Sequence, residues 1–285
     1  MKYLLPFAFL LTLWSCNDDS TLVIDPQLTL GVTVEKMKSN YSLLPEEAIS
    51  FSLDSTVLAQ YAQPTEKYPH GVMGDDIEAE QLVVAVDGQF YDVTLEDNYL
   101  FEDLRPRIYD VDGDGLLEFI TIRTHVERGA GIAIYKVINE ELVEYAYVAE
   151  IGFLTRWLNL VTIDDLDDDG IVELAWIQTP HIGGILKVAK FSGGEMAVLD
   201  EAEEQYSNHW GRTRQLCMSV LTAPSNQKIF YVPSQAGDKI VGFSLFNNRL
   251  IIEETIDQVV DFLIPLSEQY PFQNIILDPV NCIDL

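Results

Sequence analysis

The chain has 285 residues and a formal charge of −29, from 46 acidic against 17 basic residues. A field of that sign repels nucleic acid and anionic lipid headgroups, which excludes both as expected partners. A hydrophobic content of 48% supports a sizeable core, and three cysteines are too few for a disulfide scaffold.

At the start, Lys2 precedes an apolar run, Tyr3–Trp14, that is too short to cross a bilayer. The ending Leu13-Trp14-Ser15-Cys16 resembles a bacterial lipoprotein signal. That resemblance implies a leader over 1–15, lipid on Cys16 and a polar tether over 16–27. Asn17-Asp18-Asp19 resembles the acidic export tag of some surface lipoproteins. The implied address is the bacterial outer membrane, facing the periplasm or the outside, with contact to the membrane through the anchor alone. In an oxidising envelope Cys217 and Cys282 could pair as a disulfide; the alternative, two buried thiols, is favoured because Cys217 lies in an apolar run read as a core strand.

From residue 28 to 285, short apolar runs alternate with turn signals, and no long helical period stands out. Asp87-Gly88, Asn139-Glu140, Gly193-Gly194 and Asn247-Asn248 each join two strand-like runs as a hairpin turn does. They recur about every 53 residues, a period that marks repeated supersecondary units. One unit reads as strands over 160–163, 174–177, 185–191 and 196–199. A second repeats the order with 119–122, 132–137 and 142–147. A third keeps 216–221, 229–232, 240–246 and 250–252. A degenerate unit occupies 51–98, and a further one would combine 256–280 with strands from 28–50. The expected fold is all-β: a β-propeller of about five four-stranded blades, or alternatively a β-sandwich of repeated hairpins.

Two loops carry the sharpest chemistry. Asp110-Val-Asp112-Gly-Asp114-Gly-Leu116-Leu-Glu118 and Asp165-Leu-Asp167-Asp-Asp169-Gly-Ile171-Val-Glu173 share the pattern D-x-D-x-D-G-x-x-E. Carboxylates at positions 1, 3, 5 and 9, with the carbonyls of Leu116 and Ile171 at position 7, make an all-oxygen set suited to calcium. An EF-hand would need Glu at position 12, where Thr121 and Trp176 stand. The corresponding loop of the later unit, Thr222–Gln227, has no carboxylates and is expected to bind no metal. Two calcium sites are therefore expected. The pattern, set between strands, resembles the FG-GAP/VCBS repeat family of calcium-binding β-propellers. Tyr68-Pro-His70-Gly, Thr179-Pro-His181-Ile-Gly-Gly184 and Ser207-Asn-His209 resemble a bacterial subgroup of it without an assigned activity.

Strand order in a four-stranded meander puts the acidic loops on one side and the loops after the second strand on the other. His70, His125, His181 and His209 map to that second side, with Arg156, Trp157 and Arg212. Such a rim on an acidic protein fits an anionic or sugar ligand, a glycan or an envelope protein. Most of these residues are expected to serve their own loops. No two histidines share a local metal-ligand spacing, and neither a nucleophile elbow nor a phosphate loop is present. The favoured reading is a calcium-stabilised, non-enzymatic binding or scaffold module, expected to be monomeric. The alternative is an envelope enzyme acting on a polysaccharide or other polyanion at the histidine side.

Overall fold

The structure, a computed structural model, describes residues 26–44, 49–202, 205–209, 215–216, 219, 227–257 and 283–284. The leader, Cys16, Arg212, Cys217, Cys282 and residues 222–226 lie outside them. No helix among the described residues is long and apolar enough to cross a membrane.

The protein is all-β apart from one helix, α1 (Pro26–Asn40). Four antiparallel meanders follow in chain order. The first holds β1 (Ser50–Phe51), β2 (Val57–Thr65), β3 (Glu78–Val86) and β4 (Gln89–Thr94). After the short β5 (Tyr99–Phe101), the second holds β6 (Arg107–Tyr109), β7 (Glu118–His125), β8 (Gly129–Ile138) and β9 (Glu141–Val148). The third is β10 (Leu158–Asp164), β11 (Glu173–Gln178), β12 (Ile185–Ser192) and β13 (Glu195–Ala202). Then β14 (Gln215–Leu216) pairs with β18 (Ile283–Asp284), while β15 (Phe230–Pro233), β16 (Lys239–Phe246) and β17 (Arg249–Asp257) form the fourth.

The four hairpin turns fall at the expected dipeptides. Residues 87–88, 139–140, 193–194 and 247–248 all have positive φ, between 50° and 86°. Two successive left-handed residues make the turn whose twist matches that of paired strands. Adjacent meanders pack face to face. Because successive strand residues point to opposite faces, Phe119 of β7 joins Tyr61 and Leu82 of the first meander, while Ile120 joins Leu160 and Trp176 of the third. The third meets the fourth through Val161 and Ile177 against Phe230 and Phe243.

Two expectations need correction. Residues 28–40 do not supply closing strands, because 26–40 form a helix. Leu30, Val34 and Met37, spaced for one helical stripe, pack on Leu58, Ala62 and Val83 and so cover the outer face of the first meander. The first two meanders are also not separate sheets. Phe101 of β5 pairs with Ala79 of β3, and β5 pairs along its length with β7, giving one nine-stranded sheet. Leu100 and Phe101 are fully buried, so this segment sits in the core and does not run as a surface link.

Glu140 is the least suitable of the turn residues, since a side chain at φ 66° is strained where glycine is not. Glu140→Gly should raise stability by about 1 kcal/mol, read as a higher urea midpoint at unchanged slope.

Candidate metal centres and a histidine cluster

Each acidic loop is organised by its own carboxylates. Asp110 accepts from the backbone N–H groups of Gly113 at 2.8 Å and Gly115 at 3.0 Å, and Asp114 Oδ1 accepts from Leu116 N–H at 2.8 Å. The second loop repeats this: Asp165 accepts from Asp169 and Gly170, and Asp169 from Ile171. Positions 4 and 6 need positive φ, met by Gly113 and Gly115 in one loop and by Asp168 and Gly170 in the other.

Glu118 and Glu173 open β7 and β11 and are fully buried. Oε2 of each accepts a loop N–H at 2.7 Å, from Val111 and Leu166 respectively. Oε1 of each has no hydrogen bond. In both loops three carboxylates converge, Asp110 with Asp112 and Glu118, and Asp165 with Asp167 and Glu173; one oxygen of each lies within 4.8 Å of the others. These two triads could hold a metal ion. Asp114 and Asp169 stand at the exposed rim, outside the triads.

Lysines that the loop pattern does not contain complete both sites. Lys136 Nζ lies 2.6 Å from Asp112, 2.9 Å from Asp114 and 2.7 Å from Glu118. Lys190 Nζ lies 3.5 Å from Asp167, 2.5 Å from Asp169 and 2.9 Å from Glu173. The contacts to Glu118 and Glu173 are close charge pairs without hydrogen-bond geometry. Burial pushes both glutamates up, against the pull of the lysine, Glu173 to about 7. Burial also works against ionisation of Asp112, yet Lys136 and the Tyr145 hydroxyl outweigh it and hold that carboxyl below its usual range. From the fourth meander, Lys228 contacts Asp164 and Asp168, each at 3.0 Å, and the Asp165 carbonyl at 2.6 Å.

The histidines lie at the other end of these strands. Glu118 and His125 are the first and last residues of β7, an eight-residue strand spanning about 23 Å at ~3.3 Å per residue. His125 is buried, accepts the Glu127 N–H at Nδ1 (3.1 Å) and packs edge-on against Tyr99, so it secures its own loop. Arg156 donates to the Thr155 carbonyl and likewise braces its own turn. The other three histidines do converge. His70 Nδ1 is 2.5 Å from Oε1 of fully buried Glu102, whose Oε2 accepts from Thr124 Oγ1 at 2.6 Å. The Glu102 carbonyl accepts the Trp157 indole N–H at 2.9 Å. Trp157 in turn meets the rings of His181 and His209, and His209 Nδ1 lies 3.1 Å from His181 Nε2. Among the described residues, no third donor makes this pair a metal cluster. Burial drives the Glu102 pKa up despite His70 and Thr124; His181, exposed at the edge of the cluster, is lowered by partial desolvation and then by the charge of His70. Sequence reasoning missed Glu102, Lys136, Lys190 and Lys228. Only Lys136 and Lys190 had a signal, since each stands three residues before a hairpin turn.

No family model matches the chain, and no curated protein matches it by sequence. Similar solved structures include a hypothetical selenium-binding protein from Sulfolobus tokodaii (11% identity, TM-score 0.46, covering 74% of this chain and 55% of that one). A rhamnogalacturonan lyase from Bacillus licheniformis is 13% identical, at TM-score 0.39 over 76% of this chain and 53% of that one. An endo-arabinase from Bacteroides thetaiotaomicron is 12% identical, at TM-score 0.36 over 76% and 82%. The chain spans about half the length of the first two. Likeness of that degree leaves the reading of the sites to this chain's own residues.

Gly184 (φ 29°) seats the loop of His181 against the segment of His209, and a Cβ there would lie 1.6 Å from the Tyr206 carbonyl oxygen. Gly184→Ala should cost about 2 kcal/mol or more, as overpacking against backbone does. It should also shift the His181 and His209 ring signals in NMR spectra, with those of His125 unmoved.

Proposed function

We propose that this chain is a calcium-stabilised binding or scaffold module of the bacterial cell envelope. In this reading the four meanders are blades of an FG-GAP/VCBS-type propeller, and lipid on Cys16 holds the mature, monomeric chain at the outer membrane. The observation that carries it is the duplicated triad, in which three carboxylates, one of them a fully buried glutamate, converge in each of two loops. Three negative charges at that range exceed what the single ammonium beside them offsets, and a divalent ion would balance them more fully. The donor set is all oxygen, with no thiolate or imidazole, which suits a hard ion of calcium's class and not zinc or copper.

Asp110, Asp112 and Glu118 would hold one ion, and Asp165, Asp167 and Glu173 the other, with Asp114, Asp169 and the Leu116 and Ile171 carbonyls completing the shells. Bound calcium would supply charge neutralisation and a crosslink between the loop and the strand that follows it. Glu118 and Glu173 already cap loop N–H groups through Oε2, so they transmit loop order into β7 and β11. The role of the metal is then structural, and ligand recognition falls to the opposite end, at the histidine side, while the net charge of −29 keeps nucleic acid and anionic headgroups away from the molecule as a whole.

A second reading, an envelope enzyme acting on a polysaccharide or other polyanion, is favoured by the pairing of half-buried His70 with buried Glu102 beside His181, His209 and Trp157. An ionised Glu102 accepts the Nδ1–H of His70 and leaves Nε2 as its basic nitrogen, the orientation a general base requires. Release of a product from acidic glycans by the wild type, lost in His70→Ala, would decide for this reading. Binding without turnover decides for the module.

Calorimetry on the mature domain should register two calcium sites, with affinities near the ~10⁻⁴–10⁻³ M of extracellular modules. Asp112→Ala and Asp167→Ala should each remove one. A metal-free preparation whose melting temperature is unmoved by millimolar calcium would sink the reading, since a ligand specific to the native state must stabilise it. Cys16→Ala should move the protein from the detergent phase to the aqueous phase; an aqueous wild type would remove the anchor.

A further inference from the structure

Lys136 and Lys190 occupy one repeat position. Each stands three residues before its hairpin turn, at Asn139 and Gly193. Lys190 is paired in register with Glu173, and Lys136 stands next to Tyr135, the register partner of Phe119, which follows Glu118. In the meanders without an acidic loop the same position holds Val84 and Ser244, three residues before Asp87 and Asn247. Ser244 there donates to Glu253. The lysine thus accompanies the cage and is missing where the cage is missing.

The lysine also meets the carboxylates that a metal would need. Asp112 and Glu118 belong to the first triad and both touch Lys136; Asp167 and Glu173 belong to the second and both touch Lys190. Asp110 and Asp165 touch neither lysine, and are held by backbone N–H groups instead. A divalent ion bound by a triad would face an ammonium of like sign at contact range, a strongly repulsive arrangement. Lysine's four-carbon stem allows that head to swing to solvent while its methylenes stay packed.

We infer that Lys136 and Lys190 are resident cations of the two loops: each holds the carboxylate charge when no metal is bound and competes with a divalent ion for the same carboxylates. The calcium reading supplies only the identity of the competitor. The loops then keep their shape without metal, and the lysines set how much metal is needed to load them.

The test labels the full mature chain with an amine-reactive ester and reads each lysine by peptide mass spectrometry, in chelator and in millimolar calcium chloride. Lys187, paired with Glu201 on the same strand as Lys190, is the internal reference. Labelling of Lys136 and Lys190 should rise about tenfold or more with calcium, as freed amines leave close ion pairs, and Lys187 should not change. Lys136→Met and Lys190→Met should each bind calcium about tenfold more tightly at one site, since a competing charge is gone, and should melt lower in chelator. Calorimetric calcium binding with unchanged or slower labelling of both lysines overturns the inference and leaves the calcium reading standing. A wild type that takes up no calcium while the methionine variants do supports the competition and removes the calcium-loaded native state. Variants that bind no calcium, or bind it no more tightly than the wild type, overturn the inference outright.

Discussion

Everything in the acidic loops depends on one buried carboxylate per loop, Glu118 and Glu173. Each sits at the point where loop becomes strand, with one oxygen committed to a loop N–H and the other inside the protein without a hydrogen bond. A carboxylate in that position has three ways to avoid an uncompensated charge: take a proton, meet an ammonium or meet a metal. Burial pushes Glu173 to about 7, showing how near the first route lies. Lys190 supplies the second and the Asp165–Asp167 pair prepares the third. The short aspartates of the loop follow from this, since they bring further negative charge to a place where a cation is already required.

The strands separate this chemistry from the histidine cluster. β7 runs from Glu118 to His125, and β11 runs from Glu173 toward the Thr179–Gly184 loop that carries His181. Both are buried along nearly all of their length and packed between neighbouring meanders. A change in cation occupancy therefore reaches the cluster mainly as strand position, since over a strand length of about 23 Å the direct charge interaction falls below ~1 kcal/mol at an effective dielectric near 20. Within the cluster the coupling is short: Trp157 touches both His181 and His209 and donates to the carbonyl of Glu102, whose side chain holds His70.

What was legible in the sequence was local. Hairpin dipeptides and carboxylate spacing depend on residues a few positions apart, and the turns at 87–88, 139–140, 193–194 and 247–248 stand where their chemistry demands left-handed backbone. What was not legible depends on register or on tertiary choice. Leu28, Leu30, Val32 and Val34 alternate like a strand, yet the segment is helical because Leu30, Val34 and Met37 gain a sheet face to cover. β5 was hidden because three residues cannot show a period, although burial of Leu100 and Phe101 fixes it between β3 and β7. Glu102 gave no sign, since a lone acid next to Asp103 reads as surface until the fold buries it. Lys136 and Lys190 could have been found by extending the hairpin ruler three residues back, which treats the repeat as a register and not only as a spacing.

The two loops are not equivalent, and the difference lies in what each is bolted to. Lys136 contacts Asp112, Asp114 and Glu118 within 2.9 Å, all inside the second meander. Lys190 stands farther from Asp167, at 3.5 Å, and the second loop is also gripped from outside by Lys228 through Asp164, Asp168 and the Asp165 carbonyl. Lys228 directly precedes Ile229, whose side chain packs in the core of the fourth meander. In its charged contacts the first loop is thus closed within one meander, while the second is shared between two. Order in the second loop is consequently order in the junction of the third and fourth meanders, which also carry His181 and its approach to His209 through Gly184 and Tyr206. Through these ion pairs a cation at Asp165–Glu173 would be linked to a neighbouring meander, as one at Asp110–Glu118 would not.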